Sequence, residues 1–185
     1  MLNNIGTQKI DTERLLLRKF KLTDSEMMFK NWANDPEVFK FFRRNPHKEL
    51  SETDEVIKKW VNDYEDGHCY NWAIELKEMS EIIGQISIVD FNEKFSSCEV
   101  AYSIGRKFWG KGITTEALKA VINYMIKEVN INRFEARFNT KNIASGKVME
   151  KAGMKYEGTL REVKINRNGD YYDMSVYSIL RSDIL

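Results

Sequence analysis

Proline and cysteine are scarce, with two of each in 185 residues. Cys69 and Cys98 lie far apart in the chain, which excludes a disulfide framework and a cysteine-based metal pattern. They read as small apolar side chains of a reduced, cytoplasmic protein, with no metal expected. The two histidines, His47 and His68, have no partner pattern for a nucleophile or a metal and read as surface or polar-packed groups. No apolar run reaches the roughly 20 residues a bilayer requires. The stretch Met1 to Gln8 is polar and lacks the basic-then-apolar design of a secretion signal. An excess of one charge is also missing. Lys+Arg number 29 against 28 Asp+Glu, a net charge of +1, which argues against direct binding of nucleic acid by bulk charge. The pair Arg43-Arg44 is too short to reverse that reading. There is no repeat, low-complexity tract or linker, so residues 1–185 are expected to form one domain.

What is present is a chain of ordinary globular composition, 42% apolar and 31% charged, with clear local periodicities. Arg14-Leu15-Leu16-Leu17-Arg18 predicts a short strand. Thr23-Asp24-Ser25-Glu26 has capping-box spacing, with Thr23 as cap and Glu26 reaching back, and predicts a helix to about Ala33 that Asp35-Pro36 ends. A second helix is expected from Ser51, on the spacing of Val56, Ile57, Trp60, Val61 and Tyr64, with Gly67 as its stop. Three strand-like runs follow, Tyr70 to Leu76, Ile82 to Phe91 and Cys98 to Ile104. In the third, Cys98, Val100, Tyr102 and Ile104 share one face and Glu99, Ala101 and Ser103 the other. The clearest helix comes next, with Ala117, Leu118, Val121, Ile122, Met125 and Ile126 as its stripe. Arg133 to Asn139 is a further strand, and Ile143 to Ala152 a short helix capped by Asn142 and ended by Gly153. Leu160 to Ile165 and Tyr171 to Leu180 close as a hairpin around Asn168-Gly169. This order predicts an α+β (mixed α/β) fold.

The sharpest chemical feature lies between the third strand and the long helix, in Lys107-Phe108-Trp109-Gly110-Lys111-Gly112-Ile113-Thr114-Thr115. Glycines let backbone turn tightly and approach a ligand closely. The first N–H groups of a helix lack intrahelical partners and, with the helix dipole, suit an anion such as a diphosphate. Lys107 and Lys111 add charge, and the Thr114 and Thr115 hydroxyls add donors. Alone, a Gly-x-Gly before a helix is as readily a tight turn. It is neither the P-loop pattern nor the dinucleotide fingerprint, whose further glycine is missing.

Trp109-Gly110-Lys111-Gly112-Ile113-Thr114 resembles motif A of the GNAT superfamily of N-acetyltransferases. Glu99-Val100-Ala101-Tyr102, Phe108 through Ala117, Asn142-Ile143-Ala144-Ser145, Ala152-Gly153-Met154 and Glu157-Gly158-Thr159-Leu160-Arg161 together resemble its ribosomal-protein N-acetyltransferase (RimJ/RimL-type) branch. The order matches over nearly the whole chain, including the opening Arg14–Arg18. The general motif has Gln or Arg where Trp109 stands and Gly or Ala where Thr114 stands; both positions still supply a backbone N–H.

The resemblance implies a GNAT-like fold. Its sheet would be mixed, mostly antiparallel and twisted, with two splayed parallel strands (Cys98–Ile104 and Arg133–Asn139) and flanking helices. It implies acetyl-CoA as donor, with its pantetheine arm in the cleft between those strands and direct transfer to an amine. Acceptor identity stays open between a protein N-terminus and a small-molecule amine such as a polyamine, amino acid or antibiotic. A non-catalytic acyl-CoA-binding module is the remaining alternative. Carried onto this chain, Glu99 is the candidate base, directly or through water; the other reading is an exposed strand carboxylate. Ser145 is the candidate contact for the departing thiolate, or a first-turn serine bonded to local backbone. Backbone N–H groups near Tyr102, Ser103 and Ile104 are the candidate oxyanion donors. Asn142 binds the pantetheine amides, caps its helix, or both. Tyr156 is a distant alternative acid that otherwise packs. Phe39-x-Phe41-Phe42 either borders the acceptor entrance or packs internally. Pairing of the last strand between two chains, giving a homodimer, stays open.

Overall fold

The computed structural model describes residues 2–185, the side chain of Asp66 excepted; Met1, the start of the polar N-terminal run, lies outside the described residues. One eight-stranded sheet organises them, in the order β1-β2-β3-β4-β5-β6-β8-β7. Its strands are β1 (Ile10–Asp11), β2 (Leu15–Arg18), β3 (Asn71–Leu76), β4 (Glu81–Asn92), β5 (Ser97–Ile104), β6 (Arg133–Asn139), β7 (Lys155–Ile165) and β8 (Tyr171–Leu180). Every neighbouring pair is antiparallel except β5 and β6, which run parallel. The helices are α1 (Ser25–Met28), α2 (Leu50–Asp63), α3 (Ile113–Lys127) and α4 (Ile143–Lys151). This is the mixed, mostly antiparallel sheet expected from the resemblance.

Strand alternation divides the core between the two faces of the sheet. Trp72, Ile74 and Ile83 point to one face and meet Val100, Phe134 and the α3 stripe. Ala73 and Ile82 point to the other and meet Met28, Trp32, Phe39 and Ile57 from the α1 and α2 side. All six apolar positions of the α3 stripe are at most 2% exposed. Burying a large aliphatic side chain contributes roughly 1.5–3 kcal/mol before entropy is charged against it, so α3 is anchored by its stripe. No helix among the described residues is long and apolar enough to cross a membrane.

Two local expectations are corrected. Thr23 is not a cap: it lies inside a 3₁₀ turn, Leu22–Asp24. Asp24, not Glu26, reaches back, accepting the Lys21 N–H at 2.8 Å. Arg18 fixes that carboxylate with contacts of 2.8 and 3.0 Å, which moves the start of the helix. The helix then widens into π geometry over Phe29–Ala33 instead of continuing as α. The hairpin also begins earlier than expected, at Lys155. Nearly every β7 side chain is exposed, so no burial period marks the strand in sequence, and its ladder to β8 is broken by two register shifts.

Candidate active site

The parallel pairing of β5 and β6 is short. It runs from Ser97 opposite Arg133 to Val100 opposite Ala136 and stops. Beyond that point β5 keeps its ladder with β4 as far as Ile104, and β6 keeps its ladder with β8 as far as Asn139. The two strands therefore fork, each held by its outer neighbour. Antiparallel alternation decides which backbone groups face the gap. The Gly105 N–H bonds to Ile83 O across the β4 side. The amides of Tyr102 and Ile104 therefore point into the fork. Trp109 Nε1 reaches the Ile104 carbonyl at 2.9 Å, consistent with that direction.

The fork opens into a cleft of about 680 Å³. At one end stands the start of α3. Gly110 and Gly112 both have φ of 74°, the left-handed region where glycine carries no steric penalty. Gly112 is the N-cap, and no side chain caps the helix. The first bond of the helix series runs from Glu116 N–H to Gly112 O, at 3.0 Å. The N–H groups of Ile113, Thr114 and Thr115 precede it and have no intrahelical partner.

A carboxylate in the first turn of this helix would repel a bound anion, and the structure neutralises it. Arg14 binds Glu116 through Nε at 2.7 Å and through its backbone N–H at 2.9 Å, and Thr12 adds a hydroxyl at 2.7 Å. Burial alone pushes the Glu116 pKa up, but these bonds outweigh it and hold the carboxyl below its ordinary value. The same guanidinium donates to Lys111 O at 3.0 Å, tying the glycine loop to the residue that leads into β2. Neither Arg14 nor Glu116 was singled out as a site residue from sequence. The signal available was the position of both inside the motifs that carry the resemblance.

The expected site residues divide into two groups. Tyr102, Ser103, Ile104, Trp109, Gly110, Gly112, Ile113, Thr114, Thr115, Asn142 and Ser145 line the cleft. Lys107, Lys111 and Glu99 do not. Lys107 borders a separate hollow with Lys30, Asn34 and Asp35. The Lys111 ammonium sits 5.6 Å from the centre of the Phe108 ring. Glu99 lies below the fork, in the paired part of β5, with its carboxylate 3.4 Å from Arg137 Nε. Burial pushes the Glu99 pKa up; Arg137 opposes this, while Glu135 and Asp90 add to it. Arg137 does line the cleft, and it continues to Glu135 at 3.2 Å, which meets Arg133 at 2.5 Å. This charged row was not anticipated, although Arg133, Glu135 and Arg137 alternate visibly along β6.

At the opposite lip, Asn142 caps α4, its Oδ1 accepting the Ser145 N–H at 3.4 Å. Ser145 Oγ lies 2.9 Å from the Tyr102 hydroxyl. Of the aromatic stretch, Phe41 and Phe42 line the cleft while Phe39 is fully buried, so both of the readings left open apply, to different residues. Tyr172 and Met174 of β8 line it as well. Arg167, at the tip of the β7–β8 hairpin, bonds to Asn45 Oδ1 at 3.0 Å and Phe39 O at 3.2 Å, tying that tip to the loop that carries Phe41 and Phe42. Tyr156 is 57% exposed and bonds Thr159 at 2.8 Å. Cys98 is buried, and burial pushes its thiol up, so it offers no thiolate for a covalent intermediate.

A forked parallel pair with a helix N-terminus at one end and unpaired strand amides at its throat defines an acyl-CoA-dependent N-acyltransferase. The chain matches the acetyltransferase (GNAT) domain over residues 14–155 and belongs to that family. It is 32% identical over 173 residues to the uncharacterized N-acetyltransferase p20 of Bacillus licheniformis, covering 93% of this chain and 96% of that one. It is 25% identical over 182 residues to the [ribosomal protein uS5]-alanine N-acetyltransferase of Escherichia coli, covering 86% and 84%. Among solved structures, the acetyltransferase (GNAT family) from Bacillus anthracis superimposes with a TM-score of 0.83 at 26% identity, covering 95% of this chain and 99% of that one.

Proposed function

We propose that this enzyme moves the acetyl group of acetyl-CoA directly onto the N-terminal amine of a polypeptide. The fork carries the reading. It offers free amides for a diphosphate at α3 and a free amide at Tyr102 for the developing oxyanion, on one continuous cleft. The diphosphate rests on the N–H groups of Ile113, Thr114 and Thr115, in the loop shaped by Gly110 and Gly112 and steadied by Arg14. The pantetheine arm runs through the fork past Ile104 and Ser103, with Trp109 as its wall and Asn142 at its amides. The thioester carbonyl meets the Tyr102 N–H, and Ser145 faces the sulfur. Glu99 stands two residues below Ala101, roughly 7 Å along the strand, so it takes the proton of the incoming ammonium through water.

Acceptor preference follows from the wall opposite. Phe41, Phe42, Tyr172 and Met174 border that side of the cleft, and among the described residues Glu37 is the lone carboxylate in its lining. A polyamine needs several carboxylates to replace its hydration; an extended chain terminus with uncharged side chains needs apolar walls. The likeness to the uS5-alanine enzyme supports the same direction. The test is a panel of N-terminal peptides and small amines with acetyl-CoA, read by release of free thiol. Turnover with peptides above that with spermidine-like amines is expected. Turnover confined to small amines overturns the acceptor assignment, and no thiol release with any amine overturns the transfer itself.

A further inference from the structure

Ser145 faces the cleft, yet a serine in the first turn of a helix ordinarily spends its hydroxyl on local backbone. Here it has a different neighbour. Tyr102 leaves β5 beyond the end of the β5–β6 pairing and reaches α4 across the fork, with its hydroxyl 2.9 Å from Ser145 Oγ and 3.2 Å from Ser145 O. Among the described residues, Tyr102 is the only hydrogen-bond partner of that Oγ.

We propose that Tyr102 is a positioning residue for Ser145: its phenol donates to Ser145 Oγ, so that the serine's own proton points at the sulfur of the departing thiol. The phenol has one proton to give. The carbonyl of Ser145 is the farther acceptor and already serves the helix bond from Met149. The hydroxyl oxygen is nearer and has no other donor. Once Oγ accepts from Tyr102, its remaining proton is free of local backbone and directed into the cleft. Burial pushes the Tyr102 pKa up to about 12, so the phenol stays protonated through neutral pH and is a fixed donor, not a shuttle.

The step balances without a tyrosinate or a serine alkoxide. The neutral amine attacks the thioester carbon, the C–N bond forms and the C–S bond breaks. The electron pair of the C–S bond goes to sulfur, which accepts a hydrogen bond from Ser145 Oγ–H. The proton lost by the nitrogen passes through water, and the thiolate takes one up on release as free thiol. Tyr102 and Ser145 keep their protons throughout.

The inference rests on the acetyl-transfer reading above, and one experiment separates the two. Steady-state kinetics are measured for the natural chain, Tyr102→Phe, Ser145→Ala and the double variant, with CoA affinity by calorimetry. Phenylalanine keeps the ring in place, so CoA affinity and KM for acetyl-CoA are expected to stay within about twofold while kcat falls roughly tenfold. Because both residues act on one hydrogen bond, Tyr102→Phe is expected to add nothing in the Ser145→Ala background. Unchanged kcat in Tyr102→Phe, or independent effects that multiply in the double variant, overturns the assignment. A natural chain that releases no thiol with any amine instead sinks the transfer reading, whatever Tyr102 does.

Discussion

Replacing Gly112 with valine probes the anion cradle through backbone torsion. Gly112 holds φ 74° and ψ 2° at the N-cap of α3. A Cβ built there meets only Arg14 Nη2, at 3.7 Å, which is ordinary contact. Crowding is therefore not the obstacle. A left-handed conformation costs an L-residue about 1–2 kcal/mol, with a β-branched residue at the upper end or beyond. The chain relieves this by turning residue 112 out of that region, and the adjoining peptide planes turn with it. The amides of Ile113 and Thr114 then lose their common aim. A hydrogen bond to a charged group contributes about 1.5–3 kcal/mol, so losing two costs about 3–6 kcal/mol. At 1.4 kcal/mol per factor of ten, the Kd for CoA should rise about a hundredfold or more. The strain itself should lower Tm by only about 2–8 °C in a chain of this size. Calorimetric titration with CoA beside a thermal scan measures both. Gly169→Val, at φ 87° in the hairpin tip, imposes similar strain away from α3 and should leave CoA affinity intact. A folded Gly112→Val protein that binds CoA within about twofold of the natural chain would refute the reasoning.

Three further outcomes are expected. As a base, Glu99 works only when deprotonated, and its pKa is raised by burial. The rate should therefore rise with pH along a limb above the ordinary carboxylate range, and Glu99→Gln should lower kcat and erase that limb; an unaltered profile removes Glu99 as base. Glu157 is held at about 2 by Arg133 and Ser178. A depressed folded pKa contributes stability above the ordinary carboxylate range that is lost as pH falls towards that value, so Glu157→Gln should flatten this part of the stability curve. Parallel curves for the two proteins in acid denaturation would contradict it. Finally, a Cβ on Gly146 would lie 2.7 Å from Phe138 Cζ. Gly146→Ala should cost about 1–3 kcal/mol by overpacking, or about 2–12 °C in Tm, and unchanged melting would show that α4 yields freely.

Much of the fold is legible in sequence where burial has a period. The α3 stripe, the alternation of Cys98, Val100 and Ile104, and the Asn142 cap follow from spacing alone, because each is enforced by one buried face or one local hydrogen bond. The glycine loop is legible for a different local reason: Gly110 and Gly112 need left-handed backbone that few other residues tolerate. The extent of β7 was not, because its side chains are mostly in water and pairing with β8 alone makes it a strand. Nor was the Asp24 cap, since the choice between Thr23 and Asp24 is made by Arg18, six positions earlier at the end of β2, outside the four-residue pattern that marks a capping box. The same holds within the site. Arg14 with Glu116 spans 102 positions and Tyr102 with Ser145 spans 43, so no local pattern couples either pair. The place of Glu99 below the fork depends on where β5 and β6 cease to pair, which is set by their outer neighbours β4 and β8.

The central claim, that the first amides of α3 hold the donor's diphosphate, is tested most directly by a crystal structure of the protein with CoA. The account predicts diphosphate oxygens about 3 Å from the N–H groups of Ile113, Thr114 and Thr115, with the pantetheine arm entering between β5 and β6. A diphosphate bound elsewhere, with those amides facing water, would contradict it.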